Sequence, residues 1–230
     1  MAPRTRRPLT RDRVLQAALE LADAGGFESL TMRRLATQLR VEAMSLYNHV
    51  ANKEDIVDGL VDLVFGEFEV AAPGELEWKL AMRRRALSIR AALNRHRWAV
   101  GLMEGRMNPG PNNVRYHDAV MGCLREAGFP FRAAVHAYSV QDAYIYGFAL
   151  QEKNLGFETP EESAAKIDAQ RTQVPAMDDH PYLMEVAEQL QVAGYDYAAE
   201  FEWGLDLILD ALERYREAAL QQGAGVRSAP

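Results

Sequence analysis

Six side chains between Arg33 and Lys53 are of types that bind phosphate oxygens and base edges: Arg33, Arg34, Tyr47, Asn48, His49 and Lys53. An arginine fork matches a guanine edge or a phosphate with two parallel hydrogen bonds, and a helix N-terminus adds backbone donors. A tyrosine hydroxyl, an imidazole or a lysine can hold a phosphate oxygen. Ser45 and Asn48 can exchange donors and acceptors with base edges, and the apolar side chains of Ala43 and Met44 suit contact with a thymine methyl. With Thr31 these form the candidate DNA-contacting set. Their chemistry is recognition, not bond-making.

The elements that must position them are two short helices around a turn of about four residues. The first runs from a Thr31 cap to Leu39, with Leu35, Ala36 and Leu39 on its apolar face. The second begins at Ala43 or Met44 and carries Leu46, Tyr47 and Val50 inward, which leaves Ser45, Asn48 and His49 outward. An amphipathic helix over Thr10–Ala24 precedes the pair, with Val14, Leu15, Ala18, Leu19 and Ala22 on one stripe and Gly25-Gly26 at its end. A longer helix follows, capped by Asn52 with Asp55 at its third position, a variant of the capping box.

Charge is distributed to match. The chain carries a formal −7, yet residues 1–53 hold nine Lys/Arg against five Asp/Glu and the remainder 17 against 28. A basic reader on an acidic body concentrates attraction to phosphate at one end. Arg4, Arg6 and Arg7 either extend that basic surface or form a solubilising tail. No apolar run approaches the roughly 18 residues of a membrane span. Met1–Pro8 is rich in Arg and Pro without an apolar region, so it does not read as a secretory signal. The single cysteine, Cys123, allows no internal disulfide and fits a reducing compartment, so a cytoplasmic location is expected.

The word L-Y-N-H-V-A-N-K at Leu46–Lys53 resembles the L-Y-x-H-[VF]-x-N-K signature of the tetracycline-repressor (TetR) family. The preceding A-L-E-L-A-D-A-G-G-F-E-S-L-T-M-R-R-L-A resembles that family's first helix and first half-motif. The resemblance is close over residues 9 to 65. It implies that Arg33 contacts a base or phosphate, that the Tyr47 hydroxyl reaches a phosphate, and that Lys53 grips the backbone. Two departures stand out. Arg40 occupies a turn position that is glycine in the family pattern, at a cost of about 1 kcal/mol for a left-handed conformation, and an arginine there can add a phosphate contact. Ala43-Met44 replaces an amide and a proline of the prototype, so the operator cannot be copied from it.

Beyond Lys53 helical periodicity dominates and no segment alternates as a strand. Helices are expected over Lys53–Ala71, Trp78–Leu93, Trp98–Arg106, a segment ending at Gly128, Pro130–Glu152, one starting at the Thr159-Pro160 box, and Asp196–Gln221. The fold class is therefore all-α: a DNA-binding domain over 1–53, an effector-binding and dimerisation domain over 54–222, and a disordered tail over 223–230. Phe201, Leu205, Ile208, Leu212 and Tyr215 form one stripe of the last helix. The resemblance implies that the two long helices pair with their copies in a homodimer, with Ile145, Phe201, Leu205, Ile208 and Leu212 at the interface.

The body resembles the family's effector domain at Trp78–Arg83, Gly147–Glu152 and Phe201–Glu213. Where the prototype ligates the drug's magnesium with a histidine and holds the metal's waters with a carboxylate, this chain has Met103 and Gln151, poor partners for a hard cation. The expected effector is a small hydrophobic or aromatic molecule held by Arg85, Ile89, Leu102, Met103, Met107, Tyr116, Tyr144 and Phe148, with Arg85 anchoring an acidic or carbonyl group. The run Arg83-Arg84-Arg85 otherwise reads as a solvated helix face. No cofactor and no protein-bound metal are expected, since His117 and His180 lack partners at i+3 or i+4. His136 with Ser139 and Asp142, or His117 beside Asp118, lack any nucleophile motif, so no enzyme is expected. The sequence reads as a repressor that binds a palindromic operator in double-stranded DNA as a homodimer and is released by a small molecule. The alternative is a helical interaction protein of the same fold that binds a protein partner.

Overall fold

The computed structural model describes residues 8–103, 108–155, 159–171 and 179–227, and these form ten α-helices with no strand among them. The first four are α1 (Arg11–Gly25), α2 (Met32–Leu39), α3 (Ala43–Leu46) and α4 (Lys53–Phe65). Their starts follow from side-chain caps. Thr10 Oγ accepts from the Arg13 amide at 3.3 Å, Thr31 Oγ from Arg34 at 3.2 Å, and Asn52 Oδ1 from Asp55 at 2.8 Å. Asp55 in turn accepts from the Ala51 amide at 2.8 Å, which makes the box reciprocal, one residue beyond the cap.

The body comprises α5 (Trp78–Arg95), α6 (Pro111–Glu126), α7 (Phe131–Asn154), α8 (Pro160–Arg171), α9 (Pro181–Ala193) and α10 (Tyr197–Arg227). Helix α5 lies against α6, α7 and α10, while α8 and α9 pair with each other. The reader meets the body through α4, which packs on α1 and on α6. Two glycines allow these close approaches. A Cβ on Gly59 would fall 2.6 Å from Leu15 of α1, and one on Gly110 would fall 2.2 Å from Asp62 of α4.

Several expected boundaries move. Helix α4 ends at Phe65 and not at Ala71, and Phe68 stays buried beyond it. Residues 96–103 form turns where a short helix was expected from Trp98, and its remaining residues lie outside the described ones. Helix α10 passes Gln221 to Arg227, through glycines assigned to a tail, because elongating an existing helix is far easier than starting one. Helix α9 was unforeseen, although Pro181 at its first turn and Gly194 (φ 71°) just past its end are ordinary signals. No helix among the described residues is long and apolar enough to cross a membrane.

Candidate nucleic-acid interface and effector domain

The helix-turn-helix is closed by a Schellman arrangement at the end of α2. Arg40 adopts φ 56°, ψ 47°, its amide donates to Thr37 O at 3.1 Å, and the Val41 amide donates to Ala36 O at 3.0 Å. The left-handed residue expected at Arg40 is therefore present, and it is the only non-glycine with positive φ among the described residues. It turns the chain so that α3 starts three residues later. That helix is one turn long and continues as tight turns in which the His49 and Val50 amides both donate to Leu46 O.

Leu46 and Val50 are buried, as expected, and anchor this element. Tyr47 does not point inward as the sequence suggested: it is 47% exposed, and Met44 is 75% exposed. With only one regular turn, the element buries two anchors and has no inner face left for a third ring. Asn48 is exposed, while Ala43, Ser45 and His49 are half-buried. Thr31, Arg33 and Arg34 are exposed at the start of α2. The Arg34 guanidinium turns back to Ser29 O at 3.2 Å, whereas Arg33 has no side-chain partner among the described residues. Lys53 lies over the Phe27 ring at 4.8 Å, in the first turn of α4.

A salt bridge fastens this surface from behind. Both Arg11 Nη atoms meet the Asp55 carboxylate, at 2.6 and 2.8 Å, and Nη1 reaches His49 O at 3.4 Å. The Arg11 hydrogen bond holds the Asp55 carboxyl below the usual carboxylate range, against the effect of its partial burial. The start of α1, the end of the recognition element and the start of α4 thus share one guanidinium.

In the body, Arg85 has no exposed surface, which overturns the solvated-face reading. Its Nε donates to the Tyr116 hydroxyl at 2.7 Å, Nη2 is paired with Asp142, and the guanidinium lies 5.3 and 5.6 Å from the Tyr116 and Tyr138 rings. Burial opposes its charge, and the Tyr116 oxygen and Asp142 carboxylate more than offset it. Burial also raises the Tyr116, Tyr138 and Tyr146 phenols well above the usual range. Arg85 Nη1 and Gln141 Oε1 remain without hydrogen-bond partners in this core. Arg83 is not free either: it bonds Glu202 at 2.6 Å and Asp206 at 3.1 Å on α10, while Arg84 lies 4.0 Å from Glu69.

Two comparisons decide the family. Residues 14–60 match the model for bacterial regulatory proteins of the tetR family, and residues 71–216 match the tetracyclin repressor-like C-terminal domain. The chain belongs to the TetR family. Among similar proteins, the HTH-type transcriptional repressor DrrR1 of Streptomyces coeruleorubidus is 32% identical, over 89% of this chain and 77% of that protein. The class D tetracycline repressor of Escherichia coli is 31% identical, over 93% of each. The structure of the Streptomyces coelicolor TetR family protein ActR in complex with actinorhodin superimposes with a TM-score of 0.74 at 29% identity, covering 91% of this chain and 99% of that one.

This TetR-family protein is therefore a DNA-binding transcriptional regulator of a repressor family, and not an enzyme. Two of the catalytic-looking residues have structural roles. His117 Nδ1 lies 2.8 Å from Asn113 O within its own helix, and Asp142 holds Arg85.

The residues expected to line an effector pocket divide between the core and a ring cluster packed against it. Arg85, Ile89, Met103 and Tyr116 are packed in the core, Leu102 is half-buried beside it, and Met107 lies outside the described residues. Tyr144 and Phe148 join Phe201 and Tyr197 in an aromatic cluster, with centroids 4.4–5.6 Å apart. Next to that cluster is a cavity of about 340 Å³ lined by Arg90, Asn94, Arg97, Glu152, Tyr195 and Tyr197, among others. None of the expected residues lines it. Apolar side chains of this size bury one another, which leaves polar helix ends to shape the opening.

The dimer stripe also needs correction. Ile145, Phe201 and Leu205 have no exposed surface in a single chain, Leu212 is 7% exposed and Ile208 half-buried. They pack α10 onto α5 and α7 of the same protomer, and of the five Ile208 alone keeps a sizeable surface for a partner to cover. The exposed neighbours are Phe131, Val135, Ser139, Ala143 and Gly147 along α7, and Trp203, Leu207, Ala211 and Tyr215 along α10.

Proposed function

We propose that this protein represses transcription by binding a palindromic operator as a homodimer and is released by a small aromatic effector bound in its C-terminal domain. The observation that carries the reading is the surface around α3. Met44, Tyr47 and Asn48 project from a short helix held by Leu46 and Val50, beside an unpartnered Arg33 and the α4 N-terminus at Lys53. In this arrangement Arg33, Tyr47 and Lys53 hold phosphates, while Met44, Ser45 and Asn48 address base edges. Two copies read half-sites about one DNA turn apart, roughly 34–36 Å.

The dimer forms through the exposed stripes of α7 and α10. Each repeats every fourth residue, and Ser139, Ala143 and Gly147 are small enough for close helix approach. The effector enters the cavity beside the aromatic cluster of Tyr144, Phe148 and Tyr197, where Tyr195 and Tyr197 line the wall; neither Met103 nor Gln151 offers a hard-cation ligand, and Gln151 accepts from the Tyr197 hydroxyl at 3.0 Å. The actinorhodin complex of ActR supports a small-molecule ligand for this fold. Footprinting upstream of the protein's own gene tests the reading. A symmetric protected site is expected, lost on adding the effector and insensitive to magnesium. Absence of any sequence-specific protection would overturn it in favour of a protein-binding role.

A further inference from the structure

Just beyond α5, one imidazole joins three elements that must keep a fixed relation for DNA to be read. His96 is 5% exposed. Its Nδ1 lies 2.7 Å from Asp23 Oδ1 in the last turn of α1, and its Nε2 lies 3.0 Å from Glu67 Oε1, just after α4. We propose that His96 is a positioning residue for operator binding, an imidazolium that clamps the reader to the body.

Carboxylate oxygens only accept hydrogen bonds, so a ring with both nitrogens against carboxylates carries a proton on each. The surroundings favour that form. His96 follows the C-terminus of α5, where the helix dipole attracts a cation. Asp23 sits at the C-terminal end of α1, whose last turn offers no basic residue of its own, so the counter-charge comes from the ring. The second groups on each carboxylate complete the clamp. Trp98 Nε1 donates to Asp23 Oδ1 at 2.7 Å, and Arg95 Nη2 donates to Glu67 Oε2 at 2.6 Å. Burial would raise the Glu67 carboxyl, but the hydrogen bonds from Arg95 and His96 hold it below the usual range. The charged groups facing the ring are thus Asp23 from α1, Glu67 from the segment after α4, and Arg95 from α5.

A neutral imidazole has one donor and one acceptor. The acceptor nitrogen would then confront a carboxylate oxygen at hydrogen-bond distance, and one of the two ties would become a repulsion. A ring with a single proton would therefore loosen one of the two ties, while Trp98 still holds Asp23 and Arg95 still holds Glu67. Only the consequence for DNA rests on the function proposed above; the clamp itself does not.

The test uses the full-length protein, isotope-labelled, at about pH 6. Ring ¹⁵N spectra are expected to show both His96 nitrogens protonated. Amide exchange in the last turn of α1 should be about tenfold faster in His96→Gln than in the wild type under the same conditions. Glu67→Gln should speed it less, because the tie to Asp23 remains. A singly protonated ring, or α1 exchange unchanged in His96→Gln, overturns the clamp. A second arm uses an operator selected by the wild-type protein from random duplexes. Inserting one base pair between half-sites should weaken the wild type about tenfold more than His96→Gln; an equal penalty overturns the positioning role. If no operator can be selected, the proposed function fails while the spectra still decide the clamp.

Discussion

Arg85 carries a charge that never meets water, and two consequences follow at the scale of single residues. Removing Asp142 strands that charge, so Asp142→Ala should destabilise the protein by about 3–5 kcal/mol in denaturant titrations. Replacing the pair together with apolar residues should cost much less. The same core predicts alkaline behaviour. Tyr116, Tyr138 and Tyr146 are raised by burial, and Tyr144 is pushed up to about 12 by burial and by the nearby Glu200. A phenol whose pKa is raised on folding contributes stability that is complete below its unfolded value near 10, and that contribution is lost as pH rises above it. Absorbance at 295 nm should therefore show these buried tyrosines ionising only in step with unfolding. On the reader, Tyr47→Phe and Lys53→Ala should weaken specific and non-specific DNA by similar factors, since both address the backbone. Substitutions of Ser45 or Asn48 should change which base is preferred. Unaltered DNA affinity in all four would sink the assignment.

At the scale of elements, caps and stripes were legible where local chemistry writes them. Thr31, Asn52 and Pro160 mark helix starts, and the Arg40 conformation was expected from the family resemblance, which has glycine at that turn. Asn52→Ala should cost about 1 kcal/mol by removing the α4 cap, and the loss should show in thermal melting. Arg40→Gly should gain up to about 1 kcal/mol by relieving the left-handed backbone, so a destabilised variant would count against that strain. Contacts between distant residues were not legible. Nothing in Arg83-Arg84-Arg85 says which arginine turns inward, because Asp142, Glu202 and Asp206 lie far along the chain. His96 was missed for the same reason: its partners are Asp23 and Glu67, each on another element. Tyr47 was misplaced because a four-residue helix is too short for periodicity to fix an inner face.

For the whole molecule, the fold class and the basic reader on an acidic body were visible in composition and period alone. The dimer face was not. A hydrophobic stripe reports that a face is buried without saying against what, and in α10 the strongest stripe serves its own protomer. The exposed residues left over, Trp203 at 65% and Leu207 at 51% exposed, are the ones available to a partner. The two groups give opposite outcomes when charged, since burying an unpaired charge costs several kcal/mol wherever the burial occurs. Leu205→Asp places that cost inside one chain, so loss of helical circular dichroism or gross aggregation is expected. Leu207→Asp and Val135→Asp place it only between chains, so a helical monomer is expected in sedimentation, with operator affinity falling because one half-site replaces two. If the wild type sediments as a monomer at micromolar concentration, the stripes on α7 and α10 do not pair, and the two-half-site mechanism falls with them.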